Sequence, residues 1–351
     1  GGAVRPASAA QAGSKHVGVK AKAIPEGEIP FSGDRARDGD PEYRTVDGDT
    51  TFKYGLLNGD PKGGVVYRFV VLDDFFDTFE DTRAFFSRFV STHRDVQVLL
   101  VKYPGQAGTM CDSSPILNNA FIAAKTLSLL RSLDRTRTFP SSSSPFTLLG
   151  IGNGANIALY MHTSAPSLPL SSLVLINPFL FVDARLELHL RSWISSFGLS
   201  ATVGLDLFWH LFAPSFLSSS YLKRTPPPVA MQVSSGVGEP APLDVRSLLC
   251  QGTLAHTDLR KSLPRVAAPV LVLRGVDDPL VGPEHAEAIQ KALAAEGEDQ
   301  PGIRQCLEDG QGCIVVDMDC GHRMLLECRS KVEEALDTLL TAARDLARSS
   351  Q

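Results

Sequence analysis

Pro145-Phe-Thr-Leu-Leu-Gly150-Ile-Gly152-Asn-Gly154-Ala-Asn-Ile-Ala-Leu-Tyr160 is the stretch whose reading decides the fold. Phe146 to Leu149 is a short apolar strand, the three glycines make a turn, and Ala155 to Tyr160 leaves as a helix. Strand, sharp glycine turn, helix is the frame of the G-x-S-x-G nucleophile elbow. Its middle residue sits on a strained turn and presents its side chain to the reaction site. Aligned on Gly150 and Gly154, the nucleophile position is Gly152, which has no atom to attack with. Alternate glycines also open dinucleotide-binding turns, with Ala155 in the third position. Context excludes that alternative: the stretch follows at least two strands, and Asn177-Pro178, not an acidic residue, ends the next strand. No cofactor is expected.

Working outward, Thr51 to Leu56 alternates as a strand, residues 58–64 form a turn, and Val65 to Leu72 is a second strand. Phe75 to Val90 has helical spacing, Val96 to Val101 is a buried strand, and Leu117 to Leu133 is an amphipathic helix. Ser172 to Ile176 follows the elbow helix as a strand. After residue 265 the rhythm resumes with a strand at 269–275, a helix from Pro283 to Ala295, a strand from Cys313 to Met318 and a closing helix from Ser330 to Ala347. Alternating strands and helices predict a mostly parallel central sheet flanked by helices. Residues 183–265 break the rhythm with helical apolar residues, among them Trp193 and Trp209, and a proline-rich loop at 225–242. This is the place of a helical lid insertion.

The chain has 351 residues, 43% of them hydrophobic and 21% charged, with a net charge of −5. These values predict one large α/β domain or two smaller ones, and no nucleic-acid partner. No apolar run approaches the ~20 residues that span a bilayer. Cysteines at 111, 250, 306, 313, 320 and 328 are too sparse for a disulfide scaffold and read as free thiols in a reducing, cytoplasmic setting. The last four are spaced too widely for a CxxC-type zinc site, so no metal is expected. Residues 1–45 read as an extended or disordered basic arm ahead of a domain at 46–351. Arg5, Lys15, Lys20 and Lys22 precede the first acidic residue, Glu26. The start at Gly1 without an apolar signal core reads as a processed or trimmed form. Other proteins are the expected partners, through the arm and the lid; a small apolar ligand under the lid is an alternative.

From about Thr51 onward the chain resembles the α/β-hydrolase fold. Val270-Leu-Val-Leu-Arg-Gly-Val-Asp-Asp-Pro279 is similar to the strand that ends in the triad acid, and sets Asp278 in that place. Asp317-Met-Asp-Cys-Gly-His322 is similar to the loop bearing the triad histidine, His322. Elbow, acid, histidine is the hydrolase chain order. A narrower resemblance is to the N-myc downstream-regulated (Ndr) family, a non-catalytic branch of the fold. It rests on Gly59-Asp-Pro-Lys-Gly63, Tyr103-Pro-Gly-Gln106, Gly150-Ile-Gly-Asn-Gly-Ala155, Leu173-Val-Leu-Ile-Asn177 and Asp319-Cys-Gly321, in that order. This resemblance implies a cytoplasmic adaptor or signalling protein without hydrolase activity. His322 and Asp278 depart from it, which fits either a distant Ndr-like chain or an independently degraded hydrolase.

Acyl transfer needs a nucleophile, a base oriented by an acid, and donors for the oxyanion. Here the nucleophile is missing. The oxyanion loop reads Leu72-Asp-Asp-Phe75, whose carboxylates would repel a developing oxyanion. The expectation is therefore a catalytically inactive hydrolase-like protein with vestigial positions Gly152, Asp278 and His322. The alternative is a weak hydrolase or ligand sensor using His322 and Asp278. Asp73, Asp74, Asn153, Trp193 and Trp209 are the candidate pocket residues. His162, His189, His210 and His285 read as structural or exposed.

Overall fold

The computed structural model describes residues 42–47, 50–59, 61, 66–74, 79–104, 109–111, 116–203, 213–227, 243–293 and 302–349. The strands are β1 (Glu42–Asp47), β2 (Thr50–Leu57), β3 (Tyr67–Leu72), β4 (Val96–Val101), β5 (Met110–Cys111), β6 (Phe146–Ile151), β7 (Leu170–Ile176), β8 (Val270–Gly275) and β9 (Cys313–Met318). They form one 9-stranded sheet in the order β1-β2-β4-β3-β6-β7-β8-β9, with β5 pairing β2 off this path. β2 runs antiparallel to β1, β4 and β5, and every pairing from β4 through β9 is parallel.

The central strands read as mostly apolar runs because both faces of a parallel sheet are covered. All six residues of β4 and of β6 are buried. Successive side chains point to opposite faces, and the core divides accordingly. Val70, Leu72 and Leu148 belong to one cluster; Phe69, Val71 and Leu149 belong to the other. Burying each such side chain contributes about 1.5–3 kcal/mol. The second cluster is closed by α1 (Phe79–Thr92), which brings down Phe79, Phe85, Phe86 and Phe89. Phe89 meets Phe69 edge to face at 6.1 Å. The first cluster is closed by α2 (Asn119–Arg135) and α3 (Asn153–Ser164). Asn118 caps α2, its side-chain oxygen accepting the Phe121 N–H, which satisfies one orphan donor of the first turn.

Between the adjacent strands β7 and β8 lie α4 (Ala184–Val203), a 3₁₀ turn (Ala213–Ser215), α5 (Ser219–Arg224) and α6 (Leu243–Leu254). These helices occupy the described part of residues 183–265, joined by non-helical stretches such as 216–218 and 255–259; Trp209 and residues 228–242 fall outside the described residues. The chain closes with α7 (Pro283–Leu293), α8 (Ile303–Asp309), α9 (Met324–Glu327) and α10 (Arg329–Ser349). The sequence reading had no counterpart for α8 or α9. It also ended the arm at residue 45, whereas β1 begins at Glu42 and pairs through its whole length with β2. Glu42-Tyr-Arg-Thr-Val-Asp47 has no apolar run to announce a strand. Residues 1–41 lie outside the described residues.

Candidate functional site

β3, β6, β7, β8 and β9 run parallel, so their carboxyl ends share one edge of the sheet. That edge is where open α/β sheets hold their sites. Asp73 and Asp74 follow β3, Gly152 follows β6, Asn177 follows β7, Asp278 lies just beyond β8, and His322 just beyond β9. The fold thus gathers residues up to 249 positions apart in sequence, from Asp73 to His322.

The elbow is intact as backbone. Gly152 has φ +52° and ψ −114°, a strained conformation that L side chains rarely adopt. Its N–H donates to Ile176 O at 2.8 Å, and its carbonyl accepts the Ala155 N–H at 3.1 Å. The flanking glycines serve close packing: a Cβ on Gly154 would lie 2.0 Å from Leu72 O, and one on Gly150 would lie 2.4 Å from Ala155 Cα.

Asp74 fills the space where a nucleophile would stand. A Cβ on Gly152 would lie 2.7 Å from Asp74 Cγ and 3.1 Å from His322 Nε2. Asp74 Oδ1 accepts the Asn153 N–H at 2.9 Å. In an active elbow, the N–H of the residue after the nucleophile is an oxyanion donor. Here a side chain of the same molecule already holds it. The sequence reading expected the carboxylates of Asp73 and Asp74 to repel a developing oxyanion. Asp74 is bonded into the site, and the Asp73 carbonyl accepts the Tyr103 hydroxyl at 2.5 Å.

His322 lies between two carboxylates. Its Nδ1 is 2.8 Å from Asp278 Oδ2, and its Nε2 is 3.4 Å from Asp74 Oδ2. Asp278 is held in turn by the Leu280 and Val281 N–H groups at 2.8 and 3.0 Å, both donating to Oδ1. Burial opposes the charged ring, but Asp278 and then Asp74 outweigh it and raise the pKa of His322 well above the ordinary value. The two carboxylates thus favour the protonated ring, with Nδ1 at hydrogen-bond distance from Asp278 and Nε2 facing Asp74. Phe216, at a ring separation of 6.2 Å, covers it and stacks on Trp193 at 4.9 Å. Of the candidate pocket residues, Asp74 and Asn153 meet directly, Trp193 reaches the site through Phe216, and Trp209 falls outside the described residues.

Four supporting residues were not singled out as site residues by the sequence. His256 Nδ1 accepts the Asn119 N–H at 2.8 Å, so its Nε2–H donates to Asn153 Oδ1 at 2.6 Å. Its ring lies nearly parallel to Phe179, and burial lowers its pKa to about 3, keeping it neutral. Asn119 Nδ2 donates to Asn156 Oδ1 at 2.9 Å. Asn177, at φ +46°, donates from Nδ2 to His322 O at 3.0 Å and accepts the Gly275 N–H at 2.7 Å. Glu327 accepts from Gly321 N and from Ser218 Oγ, at 3.0 and 2.5 Å, tying the histidine loop to the inserted segment. Elsewhere, Asp183, Glu284 and His285 bring three ligand-type atoms within 4.8 Å of one another. Both His285 nitrogens are engaged there: Nδ1 accepts the Leu180 N–H and Nε2 meets Asp183. Sequence spacing had shown no such partner.

Solved hydrolases share this fold. An α/β hydrolase enzyme from a Medee basin deep-sea metagenome library superposes with TM-score 0.65 at 17% identity, covering 85% of this chain and 97% of its own. An enol-lactonase from Burkholderia xenovorans gives 0.64 at 16%, covering 85% and 99%. An esterase from Exiguobacterium antarcticum gives 0.61 at 17%, covering 83% and 96%. The fold is that of the α/β-hydrolases. No family model matches the sequence, and no curated protein matches it either. Among the described residues, no helix is long and apolar enough to cross a membrane.

Proposed function

We propose that this chain is a catalytically inactive α/β-hydrolase-fold protein, Ndr-like in its elbow, that works as a protein-interaction adaptor or as a structural part of a larger assembly. One observation carries the inactive reading: the Asp74 carboxylate occupies the nucleophile's space and accepts the Asn153 N–H. Three requirements of acyl transfer fail together. Gly152 offers no nucleophile, the oxyanion donor is taken, and the carboxylates on both sides of His322 favour its protonated form over the free base that a general base requires. Loss of a single oxyanion donor costs about 2.7–4 kcal/mol in such enzymes. The adaptor role rests on the resemblance of the glycine elbow and the other four segments to the Ndr family.

A serine-reactive fluorophosphonate probe and a panel of short and long esters test the reading. Neither labelling nor turnover is expected. Turnover that vanishes in His322→Ala overturns it in favour of a weak hydrolase, whose supporting feature is the Asp278–His322 pair at 2.8 Å. For the adaptor role, deletion of residues 1–41, which stops short of β1, is expected to leave thermal stability unchanged and remove a binding partner. An unchanged set of partners counts against the arm.

A further inference from the structure

Cys320 and Cys328 flank the histidine loop with their sulfurs 2.9 Å apart. Cys320 is fully buried two residues before His322, and Cys328 is partly exposed between α9 and α10. We propose that Cys320 and Cys328 form a dithiol–disulfide site that reacts with low-molecular-weight disulfides and, when oxidised, locks the loop carrying His322.

The backbone holds both residues in place. The Cys320 carbonyl accepts the Asp277 N–H at 3.1 Å, and the Cys328 N–H donates to Met324 O at 3.0 Å. Glu327, immediately before Cys328, anchors both the loop at Gly321 and the inserted segment at Ser218. Closing the pair would tie the histidine loop to the start of α10, directly beside Glu327.

The two thiols have different roles. In the neutral pair either sulfur can carry the shared hydrogen. Once Cys328 ionises, the Cys320 S–H donates to it; that bond lowers the Cys328 pKa against the effect of burial, and Lys331 adds to it. The same bond raises Cys320, with burial acting in the same direction. Burial also raises Cys250, Cys306 and Cys313, the last to about 12. Among the described cysteines Cys328 alone combines exposure with a lowered pKa, which makes it the attacking thiolate. It attacks one sulfur of RS–SR and expels RS⁻, leaving a mixed disulfide. Cys320 then attacks the Cys328 sulfur and expels the second RS⁻, its proton passing to that leaving group. Two protein thiols lose two electrons, and RS–SR is reduced to two RSH.

The test uses the full chain and glutathione disulfide, followed by alkylation and peptide mapping by mass. The expected result is loss of two thiols per chain and a peptide pair joined through 320 and 328, reversed by dithiothreitol. Cys328→Ser is expected to abolish the reaction, and Cys320→Ser to stop it at a persistent glutathione adduct on Cys328. The wild-type map needs no substitution, so a variant that fails to fold does not remove the test. The proposal is overturned by a stable adduct on wild-type Cys328 without the cross-link, by cross-links to other cysteines, or by no reaction.

Discussion

Asp74 Oδ1 accepts the Asn153 N–H at 2.9 Å, while its Oδ2 lies 3.4 Å from His322 Nε2. One carboxylate therefore faces a backbone donor and the His322 ring at once, in the position from which a hydrolase would deliver its nucleophile. A buried carboxylate is tolerated where directed donors face it, as the Asn153 N–H does here.

The first prediction concerns Gly152→Ser. The new Cβ would meet Asp74 Cγ at 2.7 Å, so the substitution should destabilise the chain by about 1–3 kcal/mol, as overpacked cores do. It should confer no fluorophosphonate labelling. Adding Asp74→Gly should restore part of the lost stability in urea titrations. Labelling of the single variant would show that Asp74 gives way freely.

The pH dependence of His322 supplies a second test. Its folded pKa stands well above the unfolded value of about 6.5. The native state therefore binds the proton more tightly than the unfolded chain. This contribution is complete below about pH 6.5 and is lost as pH rises through the folded pKa. Asp74→Asn should move the loss to lower pH in urea midpoints recorded across the neutral-to-alkaline range. Parallel profiles for the two proteins would exclude coupling between Asp74 and His322.

His256 has the opposite sign. Its folded pKa of about 3 means that the unfolded chain binds the proton first. Stability from this group is complete above about pH 6.5 and declines as pH falls toward the folded value. His256→Asn should flatten the acid limb of the stability curve, measured by thermal melts between neutral and weakly acidic pH. An unchanged acid limb would contradict the neutral ring bonded to Asn153.

Glu327→Ala should leave the Gly321 and Ser218 donors without their acceptor, at about 1–3 kcal/mol for a buried group. Proteolysis within residues 213–227 should accelerate in the same variant, with Glu327→Gln falling between it and the wild type. Equal cleavage rates would mean that Glu327 does not anchor the inserted segment.

The sheet was legible because buried parallel strands must be apolar on both faces, and β4, β6 and β8 are. The elbow was legible because glycines at 150, 152 and 154 answer three separate steric demands of one turn. Asp278 and His322 could be named because their segments resemble the acid- and histidine-bearing segments of the α/β-hydrolase fold. What escaped was side-chain apposition over long sequence separations. Asp74 meets Asn153 across 79 positions, His256 meets the same residue across 103, and Glu327 meets Ser218 across 109. No local pattern encodes those distances; they exist only once the sheet has been assembled. β1 escaped for a different reason, since a charged edge strand carries little periodicity.

The contact between Asp74 and the space beside Gly152 also bears on how this chain could change over generations. Gly150 and Gly154 are barred from change by neighbouring backbone, and Gly152 by a side chain from another strand end. A return of serine at 152 alone meets an occupied space, and a loss of Asp74 alone leaves a vacant elbow beside a half-paired histidine. A side chain at the tip of this elbow therefore requires positions 152 and 74 to change together, and each position constrains what the other can accept.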